Sequence, residues 1–535
     1  MSAPDNDSLS RPVSEAAGFK LSKRQTRGIF TVILVIATAL RLYSFGSAPP
    51  GLYVDEAADG ANAIQAWENG EFKVFYPEDN GREGLYINVS SVFIHLFGAN
   101  VRALRLPAAV FGILTVPAIY ALTAELISVP VGLAAAFFLA TSYWHMNFSR
   151  IAFRGIAAPF FLVSALYFLL LGFRRRRDGP EFAVWPALAG LLCGLGFHTY
   201  IAYRVTPAIV VLVLGFLFVE ARRGQWLRRY WIALGLFFAG AAVTLYPLLM
   251  YFVNNPDLAT KRVSQVSILQ GDHIGQYLVV NIVKTVGMLY WQGDQNWRHN
   301  YNSRPEVFWP VAVLMTVGLA IAIREIFARS SATVLLPPVL LVLWVACGGV
   351  PAILSNEGLP HALRSILMLP PIAILAAIGT AKSLSVLSGV ISPSFLTTAV
   401  ILLSCALVGE TAYTYFCLWT GDPRTSSAFD IKEALLAGQI NSLPPERAKV
   451  VAIEGPNETA DSFYLPLVSL RFLTKSVTLR QQKESNLLFY TPATFPLPLR
   501  RDTDNIDFCA QVKASMPQTI VVCLDPAAVR LTSVR

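Results

Sequence analysis

The chain is poor in charge. Only 14% of its 535 residues are Asp, Glu, Lys or Arg, against a usual share of roughly 25%. Hydrophobic residues reach 54%, and mean hydropathy is +0.51. Disordered and coiled-coil chains are excluded by this balance, and an ordinary soluble globule does not fit it. The net charge is +9, from 43 basic and 34 acidic residues. The basic residues form no single face, so the excess is read as membrane topology rather than nucleic-acid binding. Cysteine is also scarce: six are scattered, with no CxxC and no Cys/His zinc spacing. Cys509 and Cys523, in the C-terminal tail, could pair or stay free. No cleavable-signal pattern precedes the first apolar run, which reads as a retained signal anchor.

What is present is a series of long apolar runs. A spanning helix needs about 20 apolar residues. Eleven runs qualify, near 29–46, 107–125, 129–146, 155–173, 183–200, 205–220, 230–252, 306–324, 332–354, 362–381 and 395–419. Two further runs, Leu85 to Gly98 and about Gln276 to Trp291, would raise the count to thirteen. Basic clusters decide between the options. If Leu85 to Gly98 lies along the surface, the N-terminal Lys/Arg group, Arg174–Arg177, Arg222 to Arg229, Arg324, Arg329 and Lys382 all fall on the inner side. The expected fold is therefore an α-helical polytopic membrane protein with a small C-terminal α/β unit. Residues 1–28 form an inner tail, 29–419 the membrane domain and 420–535 an outer domain. The tail shows β-like runs at Lys449–Ile453, Asn486–Tyr490 and Thr519–Leu524, and a helical pattern near Phe429–Gln439.

Unusual polar residues then collect at the outer side. Loop 47–84 is acidic and holds Asp55, Glu56 and Glu83. Adjacent residues of a helix point about 100° apart, so one of Asp55 and Glu56 can face a substrate while the other caps a helix. In NFSRIAFRG, Arg150 and Arg154 are four apart and should share a helix face. Snorkelling from helix ends is the plainer explanation. His198, Tyr200 and Arg204 crowd one short turn, where an interfacial aromatic belt is the plainer reading. Asp294 and Arg298 lie in QGDQNWRHN, and His361 and Arg364 stand three apart in NEGLPHALR. Arginines bind phosphate through forked bonds, and a carboxylate can take a proton from a hydroxyl. The set suits a transferase that uses a membrane-borne phosphate donor.

The ordered series DE, RLP, SRxAxR, HTYxxxR, GDxNxRHN and PHxLR resembles the GT-C superfamily of membrane glycosyltransferases, over about residues 29–380. The branch it is most similar to holds the protein O-mannosyltransferases and aminoarabinose transferases. The resemblance implies transfer of a hexosyl or pentosyl unit from a polyprenyl phosphate to a lipid, glycan or protein hydroxyl, on the extracytoplasmic face of the cell membrane. It implies Asp55 as general base, Glu56 as its support, and Arg204 and Arg364 as phosphate ligands, with Arg150 or Arg154 assisting. Glu83 is an additional candidate. Some relatives carry a divalent metal; the arginine-rich second loop, without DxD, leaves an obligatory metal in doubt. Competing classes are a transporter or flippase and a polysaccharide polymerase or ligase. Transporters hold ionisable groups near the bilayer midplane, whereas here polar residues gather at one end.

Overall fold

The computed structural model describes residues 21–78, 80–174, 181–270, 273–328, 332–453, 459–460, 463–464, 467–490, 494–496, 508–525 and 530–534. Lys20, Asp79, Arg175–Arg177 and Arg329, used above to read topology and loop charge, lie outside them. The chain opens with α1 (Lys23–Leu42), which starts in a capping box between Ser22 and Gln25. Next come α2 (Val54–Asn69), the hairpin of β1 (Phe75–Tyr76) and β2 (Arg82–Glu83), and α3 (Gly84–Phe97). The helices α4 (Val101–Leu126), α5 (Val129–Ala140), α6 (Tyr143–Phe148), α7 (Ala157–Arg174), α8 (Glu181–Gly196), α9 (Thr206–Arg223) and α10 (Leu227–Asn254) follow. Two shorter helices, α11 (Pro256–Val266) and α12 (Ile274–Gly287), precede α13 (Trp309–Ala328), α14 (Ala332–Ile353), α15 (Leu369–Leu387) and α16 (Pro393–Tyr413).

Among the described residues, nine helices are long and apolar enough to cross a membrane. They overlap nine of the eleven expected runs. The other two, near 129–146 and 183–200, are the shorter helices Val129–Ala140 and Ala183–Gly196. The first stops early because the chain turns at Thr141, and the Ser142 hydroxyl accepts the His145 amide to start α6. The run expected at 107–125 begins earlier, at Val101, because Asn100 caps it through the Ala103 amide. The run expected from 362 becomes α-helical only at Leu369, after an irregular turn that carries His361 and Arg364.

Close helix crossings rest on small residues, the usual device where lipid supplies no hydrophobic drive. A Cβ on Gly318 of α13 would strike the Leu375 carbonyl of α15, and one on Gly379 would strike the Leu314 carbonyl. Gly190 and Gly240 play the same part between α8 and α10. Arg154, Arg204, Arg298 and Arg364 share one cavity, and Arg174, Arg222, Arg223, Arg324 and Lys382 lie towards the far ends of the helices that begin after them.

The tail forms α17 (Pro423–Ala428), α18 (Ile431–Asn441), β3 (Lys449–Ile453), β4 (Thr459–Ala460), β5 (Phe463–Tyr464), α19 (Val468–Leu473), α20 (Leu479–Ser485), β6 (Leu487–Tyr490), α21 (Phe508–Ser515), β7 (Ile520–Asp525) and β8 (Arg530–Val534). Its sheet has the order β6-β3-β7-β8, with β3 parallel to both β6 and β7 and β8 antiparallel to β7. Cys509 and Cys523 are joined, which ties α21 to β7. Phe429, Val468 and Phe472 are buried in the same core as the membrane helices, so the tail packs directly on them. The helix crossing gives a prediction. Gly379→Ala should force α13 and α15 apart and destabilise the protein by about 1–3 kcal/mol. Thermal unfolding in detergent reads the loss, and an unchanged midpoint would contradict the crossing.

Candidate active site

The site begins at the N-terminus of α2. Tyr53 is the cap residue and Glu56 the third helical residue, whose carboxylate reaches back to the Tyr53 amide at 3.3 Å. Glu56 is fully buried. Its Oε1 and Oε2 each accept from the Arg105 guanidinium at 2.8 Å, and Oε1 also accepts the Ala152 amide at 2.8 Å. Arg105 in turn donates to the carbonyls of Pro49, at 2.8 Å, and Gly51, at 3.0 Å. One ion pair thus joins loop 47–53, α2, α4 and the turn after α6. With Glu56 turned inward, Asp55 turns the other way and lines a cavity of about 390 Å³.

That cavity gathers groups from distant parts of the chain. Asp55, Asp59 and Glu83 come from the first loop, Arg154 from the short turn before α7, and Tyr200 and Arg204 from the turn after α8. Arg298, His299, His361 and Arg364 close the other side. Arg154 pairs with Glu83 at 3.2 Å and lies over the Tyr200 ring. Arg364 pairs with Glu357 at 2.9 Å. Arg204 donates to the Ala259 carbonyl at 2.9 Å, and Arg298 stacks over Tyr53 at 3.8 Å. Burial, then the neighbouring Asp55 carboxylate, pushes the Tyr53 phenol well above its ordinary range.

A second cavity, of about 430 Å³, adjoins the first across Asn296, His299, Glu357 and His361, and Lys284 of α12 lines it. Between the two, Asp294, His299 and His361 bring three ligand atoms within 4.8 Å of one another. His299 Nδ1 is 2.8 Å from Asp294 Oδ2, which also accepts the Ala362 amide. Burial pushes the Asp294 carboxyl up, but the adjacent His299 and His361 outweigh it and hold it below the usual carboxylate value. Burial, then His299, holds His361 far below an ordinary imidazole, so it is neutral at pH 7. A neutral imidazole, a carboxylate and a histidine oriented by that carboxylate are a donor set able to take a divalent cation.

Of the residues singled out in the sequence, Asp55, Glu83, Arg154, Tyr200, Arg204, Arg298, His361 and Arg364 line the first cavity, and Asp294 the second. Three lie elsewhere. Glu56 is in its buried pair. Arg150 is also fully buried and donates to the carbonyls of Leu40, Arg41, Tyr43 and Ala48 at 2.7–3.0 Å. It satisfies the orphan carbonyls at the end of α1. His198 faces away, with Nε2 2.7 Å from the Thr244 carbonyl. The expectation that Arg150 and Arg154 share a helix face is corrected: residues 149–153 form a turn, not a helix, and the two arginines diverge. Residues missed by sequence reading include Arg105, the Arg of RLP, and the buried Asp59–Arg82 pair, at 2.6 Å. Asn147 was missed too; its amide holds the carbonyls of Arg298 and His299 at 3.0 and 2.7 Å.

Residues 87–251 match the protein family described as dolichyl-phosphate-mannose-protein mannosyltransferase. No curated protein sequence matches the chain. Among solved structures, the chain is similar to ArnT from Cupriavidus metallidurans bound to undecaprenyl phosphate, with a TM-score of 0.53, 12% identity, and 85% of each chain covered. ArnT in the apo state gives a TM-score of 0.52 and 13% identity over 93% of this chain and 92% of that one. An archaeal oligosaccharyltransferase, AglB from Archaeoglobus fulgidus, in complex with an inhibitory peptide and a dolichol-phosphate, gives 0.48 at 13% identity, over 93% of this chain and 69% of that one.

The Glu56–Arg105 pair yields a prediction. Removing one partner leaves the other charge buried and unpaired, which costs about 3–5 kcal/mol. Arg105→Ala should therefore lower the unfolding midpoint sharply in a thermal melt. A variant as stable as wild type would show that the pair does not hold the loop.

Proposed function

We propose that this chain, which has the fold of the GT-C membrane glycosyltransferases, moves a sugar from a polyprenyl-phosphate donor to an acceptor hydroxyl at the outer face of the cell membrane. The observation that carries this reading is the first cavity, where Asp55 shares about 390 Å³ with Arg154, Arg204, Arg298 and Arg364. The cavity lies at the ends of the helices remote from the basic clusters, which suits the outer side. In this reading residues 1–28 are a cytoplasmic tail, 29–419 the transferase domain and 420–535 an extracytoplasmic unit.

The reaction is a single displacement. Asp55 takes the proton of the acceptor hydroxyl, and the hydroxyl oxygen attacks the anomeric carbon. The bond from that carbon to the phosphate oxygen breaks, and the phosphate leaves with the electron pair, giving inversion at the sugar. Base catalysis is worth about 10²–10⁴-fold, and charge stabilisation of the leaving group a comparable amount or more. Arg204, which donates to the Ala259 carbonyl, and Arg298, which stacks on Tyr53, have no ion pair among the described residues and are the cations proposed to meet the phosphate. Arg154 and Arg364 are steadied by Glu83 and Glu357. Glu56 acts through position: with Arg105 it fixes the first turn of α2. Asp294, His299 and His361 are the residues that would hold a divalent cation, which supplies further charge stabilisation for the phosphate. The carrier named in the ArnT structure, undecaprenyl phosphate, is the chemical class proposed for the donor. The acceptor is a lipid, glycan or protein hydroxyl.

Asp55→Asn keeps shape and removes basicity. With a polyprenyl-phosphate sugar as donor, kcat should fall about 10²-fold or more while donor binding stays nearly unchanged. Arg204→Ala should weaken donor binding and turnover together, since phosphate contacts act in both ground and transition states. An Asp55→Asn protein that folds and turns over at the wild-type rate would overturn the assignment.

A further inference from the structure

Arg298 and His299 sit in a loop, residues 292–306, that forms neither helix nor strand. A site built on a loop is only as precise as the groups that hold its backbone. Here three successive carbonyls are held from outside the loop. The Trp297 carbonyl accepts from Trp419 Nε1 at 2.7 Å. The Arg298 and His299 carbonyls both accept from one group, the Nδ2 of Asn147, at 3.0 and 2.7 Å. Asn147 is fully buried. Turning its amide over would set an oxygen against two oxygens, so only the nitrogen can serve the pair.

Asn147 lies on α6, and α6 is itself anchored. His145 Nδ1 is 2.7 Å from Nη2 of Arg41, which is fully buried near the end of α1 and also donates to the carbonyls of Ala37 and Ala140 at 3.0 and 3.1 Å. Trp144 stands three residues before Asn147 and so shares its face. Its Nε1 donates at 3.2 Å to the Ala362 carbonyl, in the turn that carries His361 and Arg364. The Phe148 ring packs 5.3 Å from the His299 ring. One short helix, tied to α1, thus holds both polar loops of the cavity. From the backbone fixed in this way, Arg298 Nε donates to Asn296 Oδ1 at 3.2 Å, and the guanidinium lies 3.8 Å from the centre of the Tyr53 ring.

We propose that Asn147 is a positioning residue, which holds the Arg298–His299 backbone against α6 and so sets where the Arg298 guanidinium meets the donor phosphate. The assignment rests on the reading of Arg298 as a phosphate ligand. Displacement of a reacting group by about 1 Å can cost on the order of 10²-fold in rate. A phosphate contact acts in ground and transition states alike, so loss of the hold raises donor KM and lowers kcat together, unlike loss of the base.

The test uses the full-length protein in detergent or nanodiscs, with a polyprenyl-phosphate sugar as donor. Asn147→Ala should lower kcat/KM about 10²-fold, with KM and kcat both affected, and should speed amide exchange across residues 296–300. Asn147→Leu fills the same space without a donor, so it should match the alanine variant in both readouts. If Asn147 acts through Arg298, Asn147→Ala should lose most of its effect on KM when Arg298 is already replaced by alanine. Arg480→Ala, in an exposed ion pair on α20, should leave every readout unchanged. Wild-type KM and exchange in either Asn147 variant would overturn the proposal. So would an undiminished effect of Asn147→Ala in the Arg298→Ala background. If wild-type protein transfers no sugar, the reading of the site fails, and the exchange measurement still decides whether Asn147 holds the loop.

Discussion

A buried ion pair between Glu56 and Arg105 sets the geometry on which the cavity depends. Both side chains are wholly withdrawn from solvent, and burying two charges is expensive unless every lone pair and proton finds a partner. Here the partners are found: two guanidinium bonds, the Ala152 amide and two loop carbonyls. The pair contributes little net stability compared with an apolar core, but it specifies one arrangement. Loop 47–53 cannot shift without uncovering Arg105, and α2 cannot rotate without uncovering Glu56. Because neighbouring helical residues diverge by about 100°, fixing Glu56 inward fixes Asp55 outward. The two adjacent carboxylates differ in surroundings because they differ by one residue in phase.

The second constraint is electrostatic. Four arginines in one cavity repel one another unless something negative lies between them. Glu83 and Glu357 pair with two of these charges, Asp59 is already paired with Arg82, and Asp55 alone stands against the other two arginines, which leaves room for a phosphate in the proposed reading. The Asp294–His299–His361 group extends the same logic on the side that opens to the second cavity. Among the described residues, Arg174, Arg222, Arg223, Arg324 and Lys382 sit towards the opposite ends of the helices from the arginines of the cavity.

The architecture was legible because hydropathy is a local property. Apolar runs and basic flanks located the helices, and alternation located the strands of the tail. Asp55 was legible from its place just after the first span, and Arg204, Arg298 and Arg364 from their position in polar clusters at helix ends. Two things were not. The spacing of Arg150 and Arg154 suggested one helix face, but Ser149–Phe153 turns, and one arginine closes the end of α1 while the other enters the cavity. Helical spacing misleads wherever a helix stops, and nothing in NFSRIAFRG marks the stop. The partners of Glu56 were also hidden. Arg105 is forty-nine residues away and the Ala152 amide ninety-six; contacts of that range leave no periodic trace. The RLP triplet was visible as a signature, but its physical meaning, an arginine for the buried glutamate, needed the fold.

The central claim is that a membrane-borne phosphate delivers a sugar to the arginine cavity beside Asp55. It is tested most directly by mass spectrometry of lipid extracts from cells in which the gene is deleted, compared with the same cells carrying the wild-type gene. The account predicts that one polyprenyl-phosphate sugar accumulates on deletion and returns to its original level on complementation. A lipid-linked sugar pool unchanged by deletion would contradict it.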